Sequence, residues 1–493
     1  MRDQLFHLCR DNTTSLQSQL RECLVRAILD GHIPGGDPVP SCRRLAQQLG
    51  VARNTVVLAY QQLVDQGYLT ARERSGYYVN PGILDGRANP PRRRTPDPEP
   101  EPGPDWPRRF TVRASALRSL AKPPDWHRYP YPFIYGQSDP TLFPIADWRE
   151  CSRQALSIRA IHAWTRDRVD ADDPLLLEQI HTRLLPRRGV WADPQEILVT
   201  NGAQQALYLL AHLLLCPQSR VGIEDPGYPD ARNIFALHTD RLQALPVDAG
   251  GLQVEDAPLE RCDYVYVTPS HQSPTTVTLA LERRERLLQR ARQHDFVLFE
   301  DDYESETNYA GDPIPALKSL DNSDRVLYLG SLSKTLAPGL RLGFLVGPAP
   351  LIREARALRR LMLRHPPSNN QRAVALFLAL GHHDSLVQRL RNAYRERWEV
   401  LGRALARHLP QAVATPTSGG TSFWVRGPCG LDSLALARAA AERGVLIEPG
   451  DVHFLADEPP RHYFRLGFSS IPVERIEPGI RQLAGLFQQL TAA

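Results

Sequence analysis

The segment "GSLSKTLAPGLRLGF" contains residue types that can perform covalent chemistry. Arginine has almost replaced lysine in this chain: of the 59 lysine and arginine residues, only three are lysines. These are Lys122, Lys318 and Lys334. Arginine serves equally well on a solvated surface but cannot supply a deprotonatable primary amine. Lys334 is therefore a candidate nucleophile, and the nearby hydroxyls of Ser331 and Ser333 and guanidinium of Arg341 can bind a phosphate dianion.

Three further segments supply groups that complement this amine. The run "FVLFEDDYESE" ends in acids, so Asp301 is a candidate partner for a pyridinium nitrogen and Tyr303 for a ring hydroxyl. The segment "LVTNGAQQAL" predicts a strand, a turn and a helix start, whose Ala203 and Gln204 amides would bind phosphate. Tyr228 in "EDPGYPD" can stack on an aromatic ring. Each signal alone is more often a cap, a salt bridge or ordinary packing, but together they predict pyridoxal phosphate held as a Schiff base on Lys334.

An alternation of short β-rich runs with longer helical patterns, from about 131 to 493, predicts how these side chains are positioned. This alternation indicates an α/β domain with a buried, mainly parallel sheet, at whose carboxyl edge the site residues converge. The runs are "EILVT", "RVGIED", "DYVYVTP", "FVLFEDD", "RVLYLGS" and "RLGFLVG".

The first 80 residues contain a pattern of a different kind. Ser41 can cap a helix that runs through Leu49, and Gly50 can supply the turn into a second helix at about 52–66. Two short strands then fold around Ser75 and Gly76. This order predicts a helix-turn-helix followed by a wing.

The predicted recognition elements carry a group of arginines and polar residues. A helix pair with surface arginines is usually scaffold, but the wing and the arginine cluster favour binding to double-stranded DNA. The start of the second helix would meet base edges through Arg53, Asn54 and Thr55. Phosphates and the flanking groove would be contacted by Arg43, Arg44, Arg72, Arg74 and the wing residue Gly76.

The composition of the chain limits its class, its domain organisation and its location. The chain has 493 residues and a formal charge of +4, which suits a DNA-binding protein and also many enzymes. Residues 81–130 include "NPPRRRTPDPEPEPGPDWP", which predicts an extended linker between domains at 1–80 and 131–493. Seven scattered cysteines suggest neither disulfides nor a metal site, and we expect a cytoplasmic protein without a membrane span.

The motifs carry a specific resemblance. The segment "PSCRRLAQQLGVARNTV", with the "GYL" and "GYYV" that follow it, resembles the winged helix-turn-helix of GntR-family regulators. Cys42 and Arg44 depart from the commonest residues of that motif. The segments "DPTLFP", "EDPGYP", "EDDY" and "SKTLAPGLRLG" resemble the MocR subfamily, in which this module is fused to a fold-type I aminotransferase domain.

The resemblance implies several further properties. It implies a smaller C-terminal α+β subdomain from about 375 and a domain-swapped, head-to-tail homodimer. Arg465 in "YFRLGFS" would bind the carboxylate of an amino-acid ligand, although a structural salt bridge is an open alternative. The implied function is a transcriptional regulator whose effector is a small amine or amino acid.

The chain also departs from the subfamily pattern. It has "RDRVDADDPLLLEQI" where a Gly-Tyr-Gly stretch is common, and Ser273, Thr276, Thr307 and Asn308 replace the usual residues. We expect these positions near the mouth of the cofactor site, where they would affect ligand identity and any residual transamination. Two alternatives stay open: an active aminotransferase with a DNA-binding appendage, and a sensor of pyridoxal phosphate itself.

Overall fold

The computed structural model describes residues 8–9, 14–85, 103–309, 314–415 and 417–491. The chain divides into two units, Met1–Arg109 and Phe110–Ala493, and this division falls within the predicted linker. Most of the proline-rich run lies outside the described residues. Residues 118–122, which we assigned to the end of the linker, contact the body of the second unit. The predicted domain limits at 80 and 130 stay predictions.

The first unit contains the predicted helices and wing strands. Its elements are α1 (Leu16–Leu29), α2 (Cys42–Leu49), α3 (Arg53–Asp65), β1 (Leu69–Arg72), β2 (Gly76–Val79) and α4 (Trp106–Arg109). Ser41 caps α2 by accepting a hydrogen bond from the backbone of Arg44, and Gly50 ends the helix with φ at +61°. Strand β1 pairs antiparallel with β2, and Arg72 lies opposite Gly76. Gly76 therefore belongs to the strand, and the wing turn consists of residues 73–75.

The recognition helix is held by a small apolar core. Val56, Tyr60 and Leu63 of α3 are fully buried against α1 and α2, as their spacing predicts. The Tyr60 hydroxyl donates to the carbonyl of Pro40, at 2.8 Å, which ties α3 to the start of α2. The opposite face of α3 is left to solvent.

The second unit begins with helices that precede its main sheet. They are α5 (Ile145–Ala155), α6 (Ile158–Trp164), α7 (Pro174–Gln179), which continues through a π-helical turn (Ile180–Leu184), and α8 (Leu185–Arg187). The strands of the main sheet are β4 (Ile197–Thr200), β5 (Val221–Asp225), β6 (Leu242–Asp248), β7 (Gly251–Leu252), β8 (Tyr264–Val267), β9 (Val297–Asp302), β10 (Val326–Ser331) and β11 (Gly343–Val346). The helices between them are α9 (Ala203–Leu214), α10 (Pro229–Ala236), α11 (Asp256–Leu259), α12 (Leu281–His294) and α13 (Leu317–Leu320).

All six β-rich runs form strands of this eight-stranded sheet, counted over the described residues. The strand order is β4-β11-β10-β9-β8-β5-β6-β7. The pairs from β10 to β6 are parallel, whereas β11 runs antiparallel to both of its neighbours. The sheet is therefore mainly parallel, as predicted, and the carboxyl ends of β9 and β10 lie side by side.

A smaller α+β layer follows the main sheet. Helix α14 (Ala349–Leu363) precedes it and packs against α9 and β4 of the main sheet. The elements that follow are α15 (Ser368–Ala379), α16 (His382–His408), β12 (Val413–Ala414), β13 (Ser422–Arg426), α17 (Ser433–Glu442), β14 (Val445–Leu446), β15 (Glu448–Pro449), β16 (Tyr463–Gly467) and α18 (Val473–Thr491). Strands β12, β13, β16 and β15 form one sheet, and β14 pairs with β3 (Tyr131–Pro132). A helix with the length and apolarity needed to cross a membrane is not found in the described part of the chain.

Candidate functional site

A cavity of about 330 Å³ lies in the second unit where β9 and β10 end. All the residues that we predicted to bind the cofactor or the ligand carboxylate line it. They are Lys334, Asp301, Tyr303, Tyr228, Ala203, Gln204, Ser331, Ser333, Arg341 and Arg465. Ser273, which we expect near the mouth of the site, also lines it. The lining is completed by residues that the sequence reasoning did not assign, namely Leu120, Lys122, Tyr135, Gly136 and Asp230.

One end of the cavity is built to receive an anion. Helix α9 begins at Ala203 without a side-chain cap, so its first amides have no partner within the helix. The buried hydroxyl of Ser333 has no hydrogen-bond partner among the described residues. The Arg341 guanidinium lies beside Gly202, where an added Cβ would stand 3.0 Å from Nη2. Unpaired amides, a hydroxyl and a guanidinium at a helix N-terminus fit a phosphate group.

The amine of Lys334 lies among other cations. Its Nζ is 4.2 Å from the centroid of the Tyr135 ring. Burial lowers the pKa of Lys334 to about 8, and the negative charge of Glu304 offsets this only in part. Lys122 and Arg465 lower the pKa further by repulsion. A larger fraction of this amine is therefore unprotonated at neutral pH than for an exposed lysine, as attack on an aldehyde requires.

Asp301 offers a buried carboxylate at the end of β9. Its Oδ2 accepts a hydrogen bond from Tyr266 at 2.9 Å, whereas Oδ1 has no partner among the described residues. Burial raises the pKa of Asp301 to about 7 in spite of the Tyr266 hydroxyl. A carboxylate in this state is stabilised by a cationic N–H donor, so it fits a protonated pyridine nitrogen. The hydroxyl of Tyr228 donates to Asp230 at 3.2 Å, which fixes one edge of its ring.

Arg465 forms a structural salt bridge and also keeps a donor for a ligand carboxylate, which are the two alternatives left open by the sequence. Its Nε donates to Glu448 at 2.8 Å in a buried salt bridge, and its guanidinium lies 4.1 Å from the Tyr135 ring centroid. Its Nη2, however, has no partner among the described residues. The side chain is 2% exposed, so this unpaired donor is costly unless a ligand satisfies it.

The departures from the subfamily pattern lie in several places. Ser273 lines the cavity, but Thr276, Thr307 and Asn308 do not. None of residues 166–180 lines it either. In that segment Asp172 accepts hydrogen bonds from Arg356 and Arg359, at 2.8 and 2.6 Å, and so anchors α14. Our expectation that these positions lie near the mouth of the site is met by Ser273 and stays a prediction for the others; Asn308 lines a neighbouring cavity together with Tyr303 and Ser331, which also line this one.

One predicted contact is already occupied by a different partner. The Tyr303 hydroxyl donates to the carbonyl of His271 at 2.8 Å. Its predicted contact with a ring hydroxyl stays a prediction. Of the unassigned lining residues, Lys122 alone carried a signal, as one of three lysines, but we interpreted its segment as linker.

The first unit presents its predicted DNA-contacting residues on one module. Arg53 and Asn54 are exposed in the first turn of α3, and Thr55 beside them is half-buried. The remaining predicted contacts, Arg43, Arg44, Arg72, Arg74 and Gly76, are also exposed. Arg72 lies over the ring of Tyr78, at 4.2 Å from its centroid. A recognition-helix start with basic residues at the wing is an arrangement that can enter a major groove.

Comparison with known proteins assigns both units. Residues 16–79 match the family of bacterial regulatory proteins of gntR type, and residues 136–483 match aminotransferase class I and II. The chain is 45% identical to the HTH-type transcriptional regulator TauR of Rhodobacter capsulatus, over 97% of this chain and 98% of TauR. It is 31% identical to the probable rhizopine catabolism regulatory protein MocR of Rhizobium meliloti, over 99% and 96% of the two chains. The chain belongs to the MocR subfamily of GntR-type regulators.

The second unit of this MocR-type chain also resembles a solved enzyme. The crystal structure of LysN, the α-aminoadipate aminotransferase of Thermus thermophilus, matches with a TM-score of 0.71 and 28% identity. The match covers 78% of this chain and 99% of LysN, which was solved with N-(5'-phosphopyridoxyl)-L-leucine. The fold-type I aminotransferase architecture predicted for the second unit is therefore confirmed.

Proposed function

We propose that this chain is a transcriptional regulator that binds pyridoxal phosphate and changes its affinity for operator DNA when a small amine or amino acid enters the cavity. The convergence of ten predicted residues from distant parts of the sequence on one cavity carries this proposal. Membership of the MocR subfamily supports the regulatory role.

The residues of the cavity fit the cofactor at each of its functional groups. Lys334 would hold the aldehyde, Asp301 the pyridine nitrogen and Tyr228 one ring face. The phosphate would be bound by the start of α9 with the residues Ser331, Ser333 and Arg341. When bound, pyridoxal phosphate supplies an electrophilic carbon that captures primary amines covalently. Arg465 would orient an incoming amino acid through its unpaired Nη2.

The DNA-binding role is assigned to the first unit. Arg53, Asn54 and Thr55 would contact base edges, because the start of a recognition helix meets the major groove. The arginines of α2 and the wing would contact phosphates, which sets register and affinity more than sequence preference.

The segment that connects the units along the chain is attached at the border of the cavity. Arg118 donates to the carbonyls of Phe454 and Leu455, both at 3.2 Å, and its own carbonyl accepts from Arg232 and Asn233. Lys122 pairs with Glu448 at 3.3 Å. A ligand that alters these contacts would bias the conformation of the connecting segment, which is the differential binding that allosteric coupling requires.

Footprinting on the promoter region next to the coding gene tests the proposal. The full chain is loaded with pyridoxal phosphate and titrated with DNA in the presence and absence of a panel of amino acids and amines. We expect at least one of them to shift operator affinity by about fivefold or more, which is the usual size of such coupling. Identical affinity and an identical footprint with every compound would reject the sensing role.

An active aminotransferase is the second candidate function. The complete set of cavity groups and the lowered pKa of Lys334 favour it, because nothing in this lining blocks amine capture. Multiple-turnover transfer from an amino acid to a 2-oxo acid would establish this activity. A regulator that only senses its ligand would stop at stoichiometric reaction with the bound cofactor.

We also propose a homodimer and a cytoplasmic location, as the resemblance implies. An open groove in the second unit, whose lining combines the apolar side chains of Tyr208, Ile234, Leu340 and Met362 with polar ones, supports an interface between copies. The neighbouring Leu361 is 84% exposed. Light scattering of the purified chain at several concentrations measures its mass, and a monomer throughout would overturn the dimer.

A further inference from the structure

Two of the three lysines in the chain line the same cavity. Lys334 is the proposed anchor of the cofactor, and Lys122 enters from the segment that precedes β3. The third lysine, Lys318, is paired with Asp321 and Asp324 on α13, at 3.5 and 3.7 Å, and does not line the cavity. In a chain that uses arginine nearly everywhere else, the second cavity lysine calls for a chemical explanation.

Lys122 and Arg465 share one carboxylate. The Lys122 Nζ lies 3.3 Å from Oε1 of Glu448, and the Arg465 Nε donates to Oε2 of the same residue at 2.8 Å. Glu448 is 3% exposed, so this cation–carboxylate–cation group is largely removed from water. Its formal charges leave one positive charge without a partner inside the group. A single anionic group on a ligand would balance it.

Both cations retain donors for such a group. An ammonium has three N–H donors, and Lys122 uses two of them, toward Glu448 and the carbonyl of Tyr135, which leaves one for a ligand. Arg465 has an Nη2 without a partner among the described residues. Burial lowers the pKa of Lys122, but the charge of Glu448 opposes this and favours the ammonium form.

The group lies close to the proposed cofactor anchor. A Cβ on Gly136 would stand 2.9 Å from the Nζ of Lys334 and 3.6 Å from the Nζ of Lys122. Gly136 has φ at +76°, which favours glycine, and its lack of a side chain leaves space for both amines. The Tyr135 ring centroid is likewise 4.2 Å from Lys334 Nζ and 4.1 Å from the Arg465 guanidinium. The amine end and the acidic end of a ligand must therefore be separated by only a few atoms.

We infer that Lys122 is a specificity-determining residue, which together with Arg465 binds the acidic group of a small amino-acid effector. This rests on the proposed function, since the amine of the same ligand would bond to the aldehyde carbon of pyridoxal phosphate and release the amine of Lys334. The inference narrows the effector class to short amino acids and excludes simple amines as good ligands. It also makes the N-terminal segment of the second unit part of the effector site.

Substitution of Lys122 by methionine tests the inference, since methionine keeps an unbranched apolar stem but removes the charge. The matched control is Lys318→Met, and Lys122→Arg tests rescue by another cation. Each full-length protein is loaded with pyridoxal phosphate and titrated by absorbance with glycine, β-alanine and 4-aminobutanoate. Parallel titrations use ethylamine, propylamine and butylamine, in which a methyl group replaces each carboxylate.

We expect Lys122→Met to weaken binding of the tightest amino acid tenfold or more and to leave its alkylamine analogue within twofold. Lys122→Arg should recover part of the loss, and Lys318→Met should match the native protein. The inference is overturned if Lys122→Met binds the amino acid within twofold of the native affinity. It is also overturned if the alkylamine loses as much affinity as the amino acid, because an equal loss would indicate a merely structural lysine. Native protein that does not prefer any amino acid over its alkylamine also overturns it.

The failure of the proposed function gives a different result. If native protein develops no cofactor absorbance with excess pyridoxal phosphate, cofactor capture itself fails and this inference fails with it. If the absorbance forms but Lys122 has no effect on acid recognition, only the role of Lys122 is lost.

Discussion

The cavity of the second unit and the DNA-contacting surface of the first unit use charge in opposite ways. In the cavity, Asp301 and Arg465 are 4% and 2% exposed, and each has one polar atom without a partner among the described residues. On the surface, Arg53 and Arg74 lie in solvent. A buried group is expensive to leave unpaired, whereas an exposed one is already hydrated.

This difference predicts how each region responds to substitution. In the cavity, the removal of a single atom can delete a function, because every group has one position and few alternatives. On the surface, several arginines contribute separately to an electrostatic footprint, so the loss of one should be partial. The predictions below test this contrast, from the largest expected effect to the smallest.

Substitution of Lys334 by alanine should abolish covalent capture of pyridoxal phosphate completely. The reason is that Lys334 is the cavity lysine at the proposed aldehyde position, and arginine neighbours cannot replace a primary amine. Absorbance spectra and borohydride reduction, followed by peptide mapping, measure the loss. Lys318→Ala should capture cofactor normally. If Lys334→Ala still captured pyridoxal phosphate and the reduced adduct mapped to Lys122, the contrast between cavity and surface would fail. Covalent capture would then not depend on a single side chain.

Substitution of Asp301 by asparagine should stabilise the cofactor-free protein at high pH. Burial raises the pKa of Asp301 from 3.8 to about 7 in the folded protein, so the folded state holds a proton that the unfolded state releases. The native protein therefore loses stability relative to the variant as pH rises from about 4 to about 7, by roughly 1.4 kcal/mol per pH unit. Above that window the difference is constant.

Denaturation midpoints of both proteins at pH 5 and pH 8 measure this effect. Asp324→Asn, whose side chain is 84% exposed, is the control and should show no such trend. Added pyridoxal phosphate should stabilise native protein more than Asp301→Asn, because the pyridinium would give the free Oδ1 a partner. Equal stabilisation of the two proteins would show that Asp301 does not hold the cofactor.

Single substitutions on the DNA-contacting surface should have intermediate effects. Arg53→Ala should weaken operator binding by about 1–3 kcal/mol and relax preference at one base position. Arg74→Ala should weaken binding evenly across sequences and reduce the salt slope by about one. Fluorescence anisotropy at several salt concentrations measures both. If Arg74→Ala altered sequence preference and Arg53→Ala did not, the assignment of the recognition helix would be reversed.

The sequence predicted the elements and most of the cavity, because each relevant residue lies at the end of a locally recognisable element. Asp301 ends a β-rich run and Ala203 begins a helix, so topology alone brings them together. The antiparallel direction of β11 could not be predicted, because strand direction is set by the connection and not by periodicity. Most of the cavity residues that were missed lie outside such elements.

Tyr135 and Lys122 illustrate what local patterns leave out. Tyr135 contacts three cations in the cavity, yet it lies in a segment with no periodic signal. Lys122 lies beyond a proline-rich run, whose composition indicates an extended spacer, and its role arises only from long-range contacts with Glu448. Residues 166–180 do not line the cavity, and the altered motif there contains Asp172, which forms a buried salt bridge with Arg359.

Loss of the helix cap at Ser41 should give the smallest effect on stability and on operator binding. It distinguishes residues of the first unit that stabilise the fold from residues that contact DNA. The Ser41 hydroxyl accepts from the Arg44 amide at 3.4 Å, which is a long hydrogen bond, so Ser41→Ala should cost about 0.5–1 kcal/mol. Calorimetry should show the unfolding transition of the first unit lowered by a few degrees and that of the second unit unchanged. Ser41→Asp, which preserves a capping oxygen, should retain the native midpoint. Because Ser41→Ala retains Arg43 and Arg44, the predicted phosphate contacts of α2, operator affinity of folded Ser41→Ala should fall less than that of Arg53→Ala. A larger fall would mean that the cap positions a DNA contact directly.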